Sequence, residues 1–222
     1  MKKLAVKPKA VLFDMDGVIV DSMPYHFIAW YEALRPYGVR VNCFEVYERE
    51  GEQWKKSMRD FLSRSQSGTT EKLMKKVFLE RNRIFRKYFK RYIFKGAAGI
   101  LECLKNKNYR LALVTGTNAK EVEKILPARI KRFFEYIVPG DSVRKGKPHP
   151  DPYLKAARLL KLKPCQCAVI ENAPYGIQSA KRAKMFCIAV TTSLPKEYLN
   201  GADMIAGSLE EVNAILGMQC KL

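Results

Sequence analysis

Asp14 and Asp16 stand two residues apart at the end of a short apolar run, Ala10 to Phe13, and Gly17 follows at once. An apolar run closed by a turn signal reads as a buried strand. Alternate strand residues point the same way, so both carboxylates leave the strand end on one side. Gly17 lets the chain turn sharply there. Open α/β sheets place their ligands at the carboxyl ends of strands. The pair suits phosphoryl transfer. One carboxylate can attack phosphorus and become an aspartyl phosphate; the other can protonate the leaving oxygen and later deprotonate a water. Two anions beside a phosphate also call for a cation, and carboxylates are hard-oxygen ligands for Mg²⁺. By itself, D-x-D is equally the pattern of a solvated turn. A calcium loop is a further alternative, but its glycine falls at position six and no apolar strand precedes it.

Three later segments carry compatible chemistry. The apolar run Leu111 to Val114 ends in Thr115-Gly116-Thr117-Asn118, where hydroxyls and backbone N–H groups at a helix start can cradle a phosphate. A strand–Thr–Gly turn is also common as plain structure. Lys147 lies in the proline-stiffened turn Gly146-Lys147-Pro148-His149-Pro150-Asp151, ahead of a helix. Most lysines are merely solvated, and His149 reads as a loop residue. Glu171 and Asn172 close the apolar Ala168 to Ile170. An Asn carbonyl can ligate a hard cation but brings no charge.

The elements that must position these groups follow a simple order. After the first strand, Pro24 and Ser22 mark a helix start, and Gly38 ends that helix. From Phe44 to Arg91 there are no strand-like runs. Glu52 to Leu62 and Thr70 to Tyr92 read as amphipathic helices around a polar loop. Beyond Ala97, helices alternate with apolar strands at Leu111–Val114, Tyr136–Val138, Ala168–Ile170 and Cys187–Val190. A weak strand near Met204 and a helix from Ser208 to Leu216 follow. That alternation predicts an α/β fold: a parallel sheet with helices on both faces. Gly96, Gly99 and the region near Asp21 are candidate hinges for the helical insert.

Taken in order, the four motifs resemble those of the haloacid dehalogenase superfamily. Asp21-Ser22-Met23-Pro24-Tyr25-His26 through Trp30 resembles its β-phosphoglucomutase-like branch. The resemblance implies a Rossmann-like core (residues 1–20 and 93–222), an all-helical cap (21–92) and Mg²⁺ dependence. It implies that Asp14 is the nucleophile and Asp16 the acid and base. Thr115 would grip the transferring phosphate, with Gly17, Gly116, Thr117 and Asn118 around it, and Lys147 would balance the charge. The implied metal set is Asp14, the Asp16 carbonyl, Asn172 and Glu171. Asn172 stands where the family usually has Asp, which lowers the charge offered to Mg²⁺. His26 falls where the branch places a His near substrate and general acid; packing on a helix face is the alternative. Arg81 falls near a basic cap position of the mutases. Their phosphate-holding Arg should follow the Gly51 turn, but here Glu52-Gln53-Trp54 follows. The expected function is therefore a Mg²⁺-dependent phosphatase for a small phosphorylated metabolite, a sugar phosphate. A phosphomutase is the alternative, and a weakened nucleic-acid-binding protein the third reading.

The 222 residues, 47% of them hydrophobic, suffice for a core plus a small insert. No apolar stretch approaches the ~18–20 residues of a membrane span. Lys7, Pro8, Lys9 and Asp14 break any signal-peptide core, so a cytoplasmic enzyme without a membrane partner is expected. The six cysteines form no paired CxxC zinc pattern and read as reduced thiols. The net charge of +19 attracts anions, nucleic acid included. A dedicated nucleic-acid role is disfavoured because no zinc-finger or RNA-recognition signature accompanies it. The resemblance implies a monomer.

Overall fold

The computed structural model describes residues 7–65 and 68–217. Strand β1 (Ala10–Phe13) is followed by the helices α1 (Met23–Leu34), α2 (Cys43–Glu48), α3 (Trp54–Leu62) and α4 (Glu71–Tyr88). Then α5 (Ala97–Asn106), β2 (Arg110–Val114), α6 (Ala119–Ile125), α7 (Ala128–Lys131) and β3 (Tyr136–Val138) lead into α8 (Asp151–Leu159). The chain ends its regular structure with β4 (Cys167–Glu171), α9 (Pro174–Arg182), β5 (Phe186–Val190), β6 (Met204–Ala206) and α10 (Leu209–Ile215).

The strands form one parallel sheet in the order β3-β2-β1-β4-β5-β6. This is the Rossmann-like arrangement, with helices on both faces. Every β1 residue is fully buried because the strand is covered on both sides. Val11 and Phe13 join Leu111, Leu113 and Ile170 in one core. Ala10 and Leu12 join Ala112, Val114 and Val169 in the other. Helix-capped parallel strands therefore read as continuous apolar runs rather than alternating ones.

The helical segment α1–α4 leaves and rejoins the sheet through two adjacent crossings. Asp21 N–H donates to the Tyr92 carbonyl (2.9 Å) and Phe94 N–H to that of Ile19 (3.0 Å), while Val20 bridges antiparallel to Ile93. Gly96, in the left-handed region at φ 81°, caps α5, and Gly99 lies inside that helix rather than at a hinge. Within the cap, α1 packs on α4 through Tyr25 against Phe89 and through the His26 ring stacked on Phe85 at 4.6 Å. α2 was not foreseen. Asn42 and Glu45 form a reciprocal capping box that starts this short helix. The α4 helix ends at Tyr88, short of the expected Tyr92, because the chain turns there toward its return crossing.

Cys43, Cys165, Cys167 and Cys187 are free thiols. Cys103 is disulfide-bonded, which corrects the expectation of reduced thiols throughout; Cys220 lies outside the described residues. Among the described residues no helix is long and apolar enough to cross a membrane.

Candidate active site

Asp14 continues β1 past its last strand residue, its N–H donating to the Ile170 carbonyl of β4 at 3.0 Å. Its side chain is fully buried at the carboxyl end of the sheet. Lys147 reaches it from the loop before α8. The Lys147 Nζ donates to Asp14 Oδ1 (2.6 Å), to Glu171 Oε1 (2.6 Å) and to the Val114 carbonyl (3.3 Å). An ammonium has three protons, and three oxygens meet them. Burial alone would lower the Lys147 pKa, but the two carboxylates outweigh it and raise it, so the lysine is charged. Burial pushes Asp14 well above the usual carboxylate range; Lys147 works against that push, and Glu171 and Glu50 add to it.

Glu171 also accepts from the Tyr153 hydroxyl (2.6 Å) and, through Oε2, from the Asn172 N–H (3.0 Å). The Glu171 carboxylate thus orients Lys147 and Tyr153 beside Asp14. Tyr153, fully buried on α8, reads in the sequence as an ordinary core aromatic; only the tertiary contact reveals its polar task.

Asp16 is equally buried and collects four donors or donor candidates. Ser22 Oγ donates to Oδ1 (2.7 Å), and His26 Nε2 lies 3.3 Å from the same oxygen. Thr115 Oγ1 (3.1 Å) and Thr117 Oγ1 (2.9 Å) donate to Oδ2. Burial would raise the Asp16 pKa, but hydrogen bonds from His26, Ser22 and Thr117 outweigh it and lower it to about 2. Asp16 is thus ionised in this arrangement. Arg81 lies on the far side of His26, its guanidinium against Nδ1. A guanidinium can only donate, so Nδ1 accepts and Nε2 carries the hydrogen toward Asp16. Ser22, expected as a helix cap, makes no side-chain capping bond to α1 because its hydroxyl serves Asp16.

Gly17 has φ 82°, and a Cβ there would fall 2.1 Å from Asn172 Nδ2 and 2.6 Å from Ser193 Oγ. The turn after the D-x-D pair therefore requires glycine. Asn172 Nδ2 donates to Ser193 Oγ at 2.9 Å, which leaves its carbonyl oxygen free. Asp14 Oδ2 and Asn172 Oδ1 are both buried acceptors without a hydrogen bond. Two orphaned hard oxygens beside a lysine-clamped carboxylate fit a small dication. Among the described residues no three His, Cys, Asp or Glu side chains are grouped so as to hold a metal ion by themselves, so this set depends on the amide oxygen.

Above these groups lies a cavity of about 500 Å³ between cap and core. His26, Arg81, Gly116, Thr117 and Asn118 line it. The Asn118 side chain accepts from the Glu121 N–H and so caps α6. From the cap, the loop Glu50–Gln53 closes over the site. Glu52 bridges to Lys147 through backbone, and Gln53 Nε2 donates to the Arg144 carbonyl at 2.8 Å. Gly51 packs directly on Gly116: a Cβ on Gly116 would fall 2.5 Å from the Gly51 Cα. Glu50 also lines the cavity and was missed by sequence reasoning, because nothing in its local pattern separates it from neighbouring surface acids.

The geometry gathers on one strand end what the motifs scattered over the chain. The model of the haloacid dehalogenase-like hydrolases matches residues 11–190. The chain belongs to that family. It is similar to the β-phosphoglucomutase of Bacillus subtilis, with 30% identity over 204 residues, 89% of this chain and 88% of that protein. It is similar to hexitol phosphatase A of Escherichia coli, with 32% identity over 210 residues, 92% and 93% of the two chains. A solved β-phosphoglucomutase from Clostridium difficile superposes with a TM-score of 0.81 at 25% identity, over 95% of this chain and 97% of that one. This haloacid dehalogenase-like chain thus sits in the β-phosphoglucomutase-like branch. Its chemistry, at the level these relatives share, is phosphatase or phosphomutase action on a small phosphorylated substrate.

Proposed function

We propose that the protein is a phosphatase that hydrolyses a small phosphorylated metabolite, a sugar phosphate, through an aspartyl phosphate on Asp14. The observation that carries this reading is the asymmetry of the Asp14 carboxylate. Lys147 clamps Oδ1, while Oδ2 is buried without a partner. Such a carboxylate is held in one orientation with reactive electron density uncommitted to any donor. In the first step Asp14 attacks phosphorus, the ester bond breaks, and Asp16 delivers a proton to the leaving alcohol oxygen. In the second, Asp16 takes a proton from water, which attacks the phosphoryl group and frees Asp14. Lys147 offsets the charge that gathers as anion meets anion.

Asp16 at about 2 is a base rather than an acid at rest. Its acid role therefore requires a proton to arrive with the substrate as the His26, Thr115 and Thr117 bonds rearrange. Those hydroxyls, released from Asp16, are then free to donate to phosphoryl oxygens, the role the family resemblance gives Thr115. Asp14 Oδ2, Asn172 Oδ1 and the Asp16 backbone carbonyl would hold Mg²⁺. When bound, the cation neutralises phosphoryl charge and acts as a Lewis acid.

Mutase action is the weaker reading because the loop after Gly51 presents Trp54, and the nearby Arg49 is spent on Glu52 (2.9 Å) and Asp60 (2.8 Å). A non-reacting phosphate has no evident grip there, and water should win. The test is a phosphate-release screen of phosphorylated metabolites with and without Mg²⁺, run beside Asp14→Asn. Acid-quenched samples are weighed intact by mass spectrometry. Turnover should vanish in Asp14→Asn, and the parent alone should gain the mass of one phosphoryl group. Substantial residual turnover in that variant rejects the nucleophile.

A further inference from the structure

The outer face of the cap carries charge that the reaction centre does not use. From Lys72 to Lys95 the chain holds ten Lys and Arg and one acid, Glu80. On α4 the inward stripe is apolar: Met74, Val77, Ile84 and Phe85 are buried, and the helix packs on α1. Lys72, Lys75, Lys76, Arg83, Arg86 and Lys87 fall at helical spacing on the opposite side, and all six are exposed. From the first to the last of them the helix advances about 22 Å, the length of about six phosphates in a stacked strand.

Most of that charge is available. The ion pairs of this helix are Glu71 with Lys55, Glu80 with Arg83 and Arg86 with Glu121. Lys72, Lys75, Lys76 and Lys87, with Lys90 just beyond the helix, have no carboxylate partner among the described residues. The exposed Arg83–Glu80 pair is worth little and can exchange its carboxylate for a phosphate.

Where α4 ends, two tyrosines stand among the cations. Tyr88 is 45% and Tyr92 57% exposed, next to Lys87 and Arg91 in the chain, and Lys87 Nζ lies 5.0 Å from the Tyr88 ring centroid. Cations track a phosphate backbone, and exposed aromatic faces stack bases. A lipid surface instead asks for an outward apolar stripe, and Leu79 is the one exposed aliphatic side chain of this helix.

We propose that this face of the cap binds single-stranded nucleic acid, with phosphates along the α4 lysines and two bases on Tyr88 and Tyr92. No sequence motif marks the surface; the placement of charge and rings on one helix does. The inference is independent of the phosphatase reading, because none of these side chains belongs to the reaction centre.

The test is fluorescence anisotropy of the full chain with a labelled oligouridylate of about twelve nucleotides and its deoxythymidylate counterpart. Titrations run from about 50 to 200 mM NaCl, where about five neutralised phosphates predict a log–log salt slope of about −3.5. Lys75→Glu/Lys76→Glu should weaken binding by about tenfold and flatten that slope by about 1.4. Tyr88→Ala/Tyr92→Ala should weaken it by about a hundredfold with the slope unchanged, since each stacked base contributes about tenfold. Tyr88→Trp/Tyr92→Trp keeps the flat faces and should bind at least as well as the parent. Lys161→Glu/Lys163→Glu reverses the same charge on the exposed loop between α8 and β4 and should change affinity by less than about twofold. An equal loss in that control overturns the proposal, because net charge rather than this face would then carry the binding. So does the absence of binding at the lowest salt, or an affinity that removing both tyrosines leaves unmoved. Tighter binding to a duplex of the same length, or to vesicles of phosphatidylcholine and phosphatidylserine, overturns it in favour of a double strand or a membrane surface.

Discussion

Lys147 sits between two buried carboxylates that would otherwise face each other uncompensated. Removing one member of a buried ion network costs about 3–5 kcal/mol, because the remaining charges stay desolvated. Lys147→Met should therefore lose stability of that order in urea denaturation, besides losing turnover. Glu171→Gln should cost less, since it keeps a hydrogen-bond acceptor toward Lys147 and Tyr153. Asp16 has the opposite signature from a group strained by burial. Its pKa falls from 3.8 to about 2 on folding. The stability it contributes is complete above 3.8 and is lost as pH falls toward 2. Acid denaturation followed by circular dichroism should show a shallower limb in that window for Asp16→Asn than for the parent. Asn172 supplies an oxygen but no charge. Asn172→Asp should lower the Mg²⁺ concentration that half-protects the protein in thermal unfolding by about tenfold, because ligand charge count tunes affinity. An unchanged midpoint would remove Asn172 from the site. At this scale the sequence was most legible where chemistry and local pattern coincide. Asp14, Asp16 and Lys147 announce themselves by the apolar run and the proline turn around them. Glu50 and Tyr153 do not, since each gains its role from a neighbour more than fifteen residues away.

The cap loop and the core meet through backbone. Gly51 rests on Gly116, with no side chain between them. Gly116→Ala places a methyl 2.5 Å from the Gly51 Cα, which forces the loop outward without disturbing the buried sheet. A displacement of about 1 Å in a positioning element costs about a hundredfold in rate. The variant should show that loss in kcat/KM with its melting temperature little changed, and Asp14-dependent turnover of p-nitrophenyl phosphate should suffer less than that of larger esters. The elements themselves were read within a few residues wherever apolar runs or long amphipathic stretches carried the signal, as for β2, β4 and α3. The six-residue α2 escaped because it is too short to show a period; its only signal is the Asn42–Glu45 pair. Gly99 looked like a hinge because glycine is as compatible with a joint as with the interior of a helix held by its packing.

The whole molecule carries a net charge of +19 and presents it to anionic substrates. Exposed charges act over about 10 Å at 0.1 M salt and much less at 1 M. For a phosphate ester, kcat/KM should fall as NaCl rises at fixed Mg²⁺, through KM rather than kcat, because the field speeds encounter and does not touch the chemical step. A neutral competitor of the cavity should bind with no such dependence, and a flat salt profile for the ester would count against steering.

The order of the strands has its own consequence for how this protein is made. β1 is synthesised first, yet Val11 finds its partners at Leu111 and Ala168. Pairings so distant in the chain form late and slowly. A nascent chain that has not yet reached Glu171 can pair its first strand along one edge only, with β2, and Asp14 hangs on an apolar tetrapeptide whose other edge is open. Products cut short by premature stop codons before Cys167 should therefore be inert and prone to aggregate, whatever cap they have already folded.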